Sequence, residues 1–306
     1  MRALITGLGL CLLAQAGCSG FRQKTKGTPT GYRPTTKPTP EALVAYLNRN
    51  ARKVPGLRCG NVTLTASQDS QSVTLSNTKL YCEQPRNFRI RAKIVSSPQL
   101  DLGSNRDEFW FWIKQVKADT VFHCRHEALE RGGVKTPFPF RPEMVMNALG
   151  IAEYDPNKKY RVEIGKGGET FELIEDGTSL AGQPVQKVTV FNARKAAPGE
   201  PQVLAYLLRA AKGNETAKAS ITQAPSVRLP DGGSVVLPRY VELTWPAQKM
   251  KMKLKLNGLQ AIRYSAQQSR LIFDRGDLSS LRSFDLARQN YDSTTGRVRR
   301  IGHQQR

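Results

Sequence analysis

Polar and apolar residues alternate without a break along 249–256, KMKMKLKL. Lys249, Lys251, Lys253 and Lys255 oppose Met250, Met252, Leu254 and Leu256. A period of two marks a strand with one wet face and one dry face. The same alternation runs through 88–95, where Phe88, Ile90, Ala92 and Ile94 interleave with Arg89, Arg91 and Lys93. Shorter β-rich runs fall at 62–65, 73–81, 108–113 and 120–123. Others follow at 160–164, 170–174, 185–191, 203–208, 217–222 and 235–245. Such runs, separated by polar or Pro/Gly turns, predict an antiparallel meander of roughly eleven or twelve strands.

Two segments follow a different period. Thr39-Pro40-Glu41 is a helix start, with a capping Thr, Pro in the first turn and an acid after it. Leu43, Leu47 and Ala51 recur at helical spacing until Pro55-Gly56 stops the run. Residues 135–150, KTPFPFRPEMVMNALG, hold a Pro/Phe loop and then a short helix whose apolar side is Met144, Val145, Ala148 and Leu149.

At 109–112 the alternation fails altogether: Phe109, Trp110, Phe111 and Trp112 put rings on both faces of one strand. A sheet of this length must curl, and its concave side is where the helices fit. The prediction is that an interior cavity or its helical plug dries the second face. The fold class expected is mainly β (α+β). A strongly curved antiparallel sheet forms an unclosed half-barrel, with an N-terminal helix and a short mid-chain helix plugging the concave face.

Charge and the N-terminus change this picture. The 306 residues carry 47 Lys+Arg against 25 Asp+Glu, a net charge of +22. That favours an anionic partner. Arg2, the apolar run 4–13 and the small residues after it read as an export signal over 1–17. Ala14-Gln15-Ala16 fits ordinary signal peptidase. Ala16-Gly17-Cys18 fits a lipobox, with Gln15 where Leu is usual. The Thr/Pro/Lys-rich stretch 18–38 is a flexible tether, which favours lipidation at Cys18. One domain follows over 39–284, then a basic polar tail over 285–306 that frays. Cys59 and Cys82 lie almost equidistant from Asp69-Ser70-Gln71-Ser72. They are predicted to form a disulfide across a hairpin in an oxidising compartment, the alternative being two buried thiols.

Catalytic chemistry finds little support. His123, Cys124, His126 and Glu127 could ligate zinc, but strand alternation sends His123 to one face and Cys124 and His126 to the other. A structural or surface role is the better reading, and no metal is assigned. Gly165-Lys166-Gly167-Gly168 lacks P-loop spacing and reads as a hairpin turn. With three His in the chain and no nucleophile–His–acid arrangement, neither an enzyme nor a cofactor is expected. Single-stranded nucleic acid suits basic strands with aromatics, but an export signal argues against it.

Gln84-Pro85-Arg86-Asn87-Phe88-Arg89, then 108–112, then the Pro/Phe loop and short helix, then Leu237-Pro238-Arg239 leading into Leu243-Thr244-Trp245-Pro246 stand in a telling order. Over roughly 39–273 this order resembles the LolA/LolB-like family of outer-membrane lipoprotein carriers and receptors. The resemblance implies an unclosed barrel with a helical lid, whose apolar cavity holds acyl chains in transit. The carrier has an Arg just before the Pro, which ties its lid. Here that position is Gln84, which favours a receptor-like or general lipid-binding role. The cavity is expected to draw on Ile90, Phe109, Trp110, Phe111, Trp112, Met144, Val145 and Leu149, and on Met250, Met252, Leu254 and Leu256. The choice between the Phe pair and the Trp pair stays open. The lysine row faces anionic head groups or protects a sheet edge. Expected partners are acyl chains and an anionic membrane surface, with the protein a monomer in the periplasm or at the outer membrane. The rival is a basic envelope protein that adheres to anionic lipid or cell-wall polymer without cargo.

Overall fold

The computed structural model describes residues 36–131, 134, 140–179, 182–229, 231–292 and 297–300. The signal, Cys18 and nearly all of the tether lie outside the described residues. Helix α1 (Pro40–Arg52) starts as its sequence predicts: the Ala42 amide donates to the Thr39 side chain, and Val44, Leu47, Asn48 and Ala51 are buried. The first half of the sheet follows as β1 (Gly56–Gln68), β2 (Gln71–Glu83), β3 (Asn87–Ile94), β4 (Ser97–Ser104), β5 (Glu108–Ile113) and β6 (Thr120–Arg125). Helices α2 (His126–Glu130) and α3 (Pro142–Ala148) interrupt it.

Strands then resume as β7 (Tyr160–Ile164), β8 (Thr170–Thr178), β9 (Pro184–Asn192), β10 (Val203–Ala210) and β11 (Glu215–Gln223). A small ribbon pairs β12 (Ser226–Arg228) with β13 (Ser234–Val236). Next come β14 (Tyr240–Trp245), β15 (Met250–Asn257) and β16 (Gln260–Ala261). The run expected at 235–245 is thus divided at Pro238, which has no amide to offer a ladder. The chain ends with α4 (Ala266–Phe273), β17 (Arg282–Asp285), β18 (Gln289–Asp292) and β19 (Arg297–Arg300).

One sheet takes the spatial order β17-β6-β5-β4-β3-β2-β1-β15-β14-β11-β10-β9-β8-β7, and its two ends do not pair. All its pairings are antiparallel except β17 with β6. It is strongly curled. Phe109 on β5 and Leu208 on β10 line the same cavity, although β10 is eight steps from β5 in the order. On a flat sheet those steps would span about 38 Å, at roughly 4.8 Å each. The inner face closes on α3, whose Met144, Val145, Met146 and Ala148 join the main core. Helix α1 packs Val44 and Leu47 against Val162, Phe171, Leu173 and Phe191 of β7–β9.

Three expectations are corrected. Strand β15 lies between β1 and β14, so its lysines do not guard a sheet edge. Cys59 and Cys82 are free thiols. The turn is the two residues Asp69-Ser70, so Gln68 faces Gln71, Cys59 faces Leu80 and Cys82 faces Leu57. Diagonal neighbours lie about 7–8 Å apart, too far for ordinary disulfide geometry. Past Phe284 the chain does not simply fray. Leu286 is buried, and β18 pairs with β19.

The second face of 109–112 is dried from outside. Trp110 and Trp112 pack with Val121, Leu278 and Leu281. The C-terminal segment is fastened there by Arg89, whose side chain is fully buried. Its Nη1 donates to the carbonyls of Ile272 and Asp274, each at 2.7 Å, at the end of α4. Its Nε and Nη2 donate to Asp101 at 3.1 and 2.7 Å, and Trp110 Nε1 donates to the same carboxylate at 3.2 Å. Gly103 makes room for that indole: a Cβ there would collide with the Trp110 ring.

Candidate functional site

Helix α3 is short and apolar on most sides. Pro142 occupies its first turn, and Gly150, with φ of 73°, turns the chain away from its end. Its Val145 and Leu149 join Ile90, Phe111, Met252, Leu254 and Leu256 in the main core, with Met250 packed at its margin. Phe111 stacks on Phe122, with ring centres 5.0 Å apart, and lies 6.2 Å from Phe109. Most of the expected cavity residues are therefore brought together, but as filled core rather than open wall.

The open space lies beside them. A cavity of about 430 Å³ opens between α3, β5 and strands β8–β10. Its apolar wall includes Phe109, Leu129, Phe140, Met144, Leu173 and Leu208. Of the residues expected to line a cavity, Phe109 and Met144 do so. Trp110 and Trp112 do not, because β5 turns them to the outer face. The wall from β8–β10 was missed. Its one local signal is the run VLAYLL at 203–208, which is apolar on both faces.

The chain resembles three solved structures in overall arrangement. One is a DUF1329 family protein from Desulfovibrio piger, 12% identical, TM-score 0.48, with the match covering 80% of this chain and 100% of that one. A second is a protein domain from Vibrio parahaemolyticus described as outer membrane lipoprotein-sorting, 13% identical, TM-score 0.48, covering 77% and 97%. A third is a LolA superfamily protein from Nitrosomonas europaea, 9% identical, TM-score 0.47, covering 79% and 100%. No protein-family model and no curated protein matches the chain.

Side-chain amides hold the helices over the sheet. Gln84 Nε2 donates to Ala51 O at 2.9 Å and Ile151 O at 2.8 Å, with Val54 O at 3.4 Å. One amide thus ties the end of α1 to the segment leaving α3. Asn48 exchanges two hydrogen bonds with the Tyr154 backbone, at 2.8 and 2.7 Å, and Asn50 Nδ2 donates to Gly150 O at 3.3 Å. The two helices are thus joined through uncharged amides.

The cavity rim is polar. Arg86 pairs with Glu130 at 2.7 Å, and Lys158 and Lys187 reach Glu175 at 2.7 and 3.6 Å. Tyr154 bonds Thr189 at 2.8 Å through its hydroxyl, and burial raises its phenol pKa. Burial also lowers the pKa of Arg141, which Glu143 partly offsets.

The zinc candidates take structural roles. His123 Nδ1 stands 3.1 Å from Glu108, which also meets Arg275 at 3.2 Å. Burial works against the Glu108 carboxylate, but His123, Arg275 and Arg125 outweigh it and hold the carboxyl below its ordinary range. His126 Nε2 lies 3.0 Å from Asn105 O and 3.2 Å from Ser104 Oγ. Among the described residues no group of three or more His, Cys, Asp or Glu converges on a metal position. The amides of Gly165 and Gly168 close the β7–β8 turn, donating to Thr170 O and Gly165 O. No helix among the described residues is long and apolar enough to cross a membrane.

Proposed function

We propose that the protein buries an acyl chain of a lipid or lipoprotein in this cavity and passes it on at the cell envelope. The observation that carries the reading is the cavity itself, a space with an apolar wall enclosed between α3 and the curled sheet. Its volume of about 430 Å³ falls in the usual range for small-ligand sites, roughly 300–1,000 Å³. Each buried methylene contributes about 0.8 kcal/mol. Eight of them supply about 6 kcal/mol, enough for retention without any covalent step. Transfer then requires only a modest difference in affinity between donor and acceptor.

Contact with an anionic membrane fits the surface. Val95 is 98% exposed at the β3–β4 turn, where its φ of 54° is unfavourable for a β-branched residue. Such a residue contributes little to the fold and is available to lipid. Exposed Val116, in the β5–β6 turn, and exposed Lys93, Lys114 and Lys249 stand at the same end of the meander.

Displacement of the uncharged dye N-phenyl-1-naphthylamine by hexadecanol tests the reading in the full chain. The wild type is expected to bind at one site. Leu208→Trp, which fills a half-buried wall position, should weaken binding at least tenfold, while adhesion to anionic vesicles stays unchanged. Equal binding by Leu208→Trp would remove the cavity from consideration. Vesicle adhesion with no dye or alcohol bound would establish the cargo-free alternative.

A further inference from the structure

Of the four cations lining the cavity, Arg86, Lys158 and Lys187 are matched by Glu130 and Glu175. Arg141 differs. It precedes α3 and is half-buried, and among the described residues its guanidinium makes no hydrogen bond or ion pair. Its neighbouring charge, Glu143, is exposed to solvent. A guanidinium carries five donors and does not deprotonate in proteins. Withdrawing it from water without a partner is costly, and the lowered pKa of Arg141 reflects that burial. The other rim carboxylates without ion-pair partners among the described residues, Glu153 and Asp155, are exposed. They stand in open solvent, whereas Arg141 is half-buried.

Resting on the acyl-chain reading, we infer that the preferred ligand is a single-chain anionic amphiphile. Its carboxylate or phosphate head pairs with Arg141 while its tail lies along Phe109, Met144 and Leu208. The planar fork of Arg suits both heads, since each presents two oxygens to it.

The same dye, displaced from the full-length protein by hexadecanoate, hexadecyl phosphate or hexadecanol below their micelle thresholds, decides the matter. The wild type should bind one or both anions about 10- to 100-fold more tightly than the alcohol, as expected for a charged hydrogen-bonded pair. Preference for only one anion identifies the head. Inorganic phosphate should not displace the dye, because the tail is part of recognition; displacement by it at comparable concentration would overturn the amphiphile assignment. Arg141→Gln should erase the preference and leave hexadecanol unchanged, and Arg141→Lys should keep part of it. Equal binding of acid and alcohol by the wild type overturns the inference without needing any variant. So does a preference that survives in folded Arg141→Gln. If the alcohol also fails to bind, the acyl-chain reading falls as well.

Discussion

Replacing Asp101 by Asn should loosen the whole C-terminal cap. The Asp101 side chain is 5% exposed and that of Arg89 is fully buried. The carboxylate accepts two bonds from Arg89 and one from Trp110, and lies 3.4 Å from Arg91 Nε. Arg89 in turn holds the carbonyls of Ile272 and Asp274, which the end of α4 leaves without helical partners. Asn keeps the shape but removes the charge, and one of its two acceptor oxygens becomes a donor amide beside the guanidinium. Breaking one half of a buried pair costs about 3–5 kcal/mol, a large share of a typical total of about 5–15 kcal/mol. For a domain of this size that lowers Tm by about 6–20 °C. Thermal and urea melts followed by tryptophan fluorescence measure the loss. Trp110 and Trp112 lie under the cap and Trp245 in the main core, so emission from the outer pair should change first. Hydrogen exchange over 266–285 should accelerate below the melting range. Arg89→Met/Asp101→Leu removes both charges and with them the unpaired-charge part of the loss. It should remain less stable than the wild type, because two carbonyls still lack their donor and the Trp110 indole N–H its acceptor, at about 1–3 kcal/mol for each group left buried without a partner. A loss in Asp101→Asn below about 1 kcal/mol, with exchange over 266–285 unchanged, would refute the idea that this pair holds the cap.

Two further outcomes follow from buried polar groups. Gln84→Leu leaves the carbonyls of Ala51 and Ile151 without their amide, which should cost about 1–3 kcal/mol and speed dye release in stopped flow; unchanged stability and release would mean that packing alone seats the helices. Burial first, then the charges of Asp285 and Glu108, pushes the Cys124 thiol up to about 11. At pH 8 only about one molecule in a thousand is then thiolate, and reactivity rises only as pH approaches that value. Iodoacetamide should label Cys124 at pH 8 on unfolding but not in the native protein; native labelling at the rate of a free thiol would contradict the burial.

How much of this was legible depended on whether a residue's role is local. Alternation exposes β3 and β15 because each has one wetter face, and Thr39-Pro40 marks α1 because a cap acts within three residues. Strand β4 was not visible. Pro98, Asp101 and Gly103 are poor strand formers, and the roles of the last two depend on distant partners, Arg89 and Trp110. The dryness of both faces at 109–112 was readable, but its cause was not, since Leu278 and Leu281 arrive far later in the chain. The thiols were misplaced by a turn centred one residue too late, which shifts pairing by two. The cavity was half legible. Phe109 and Met144 sit in evidently apolar segments, but Leu173 and Leu208 become their neighbours only through the curl of the sheet.

The order of strands also bears on how the molecule is made. Strand β1 is flanked by β2 and by β15, whose residues are joined to the chain nearly last, and β17 is later still. Until those segments arrive, β1 and β6 each keep an unpaired edge and the two tryptophans have no cover. The sheet therefore cannot be completed as a growing N-terminal piece. Its first strand pairs with β15 and β16, and β6 with β17, so an emerging chain stays unfinished until its C-terminal portion is delivered.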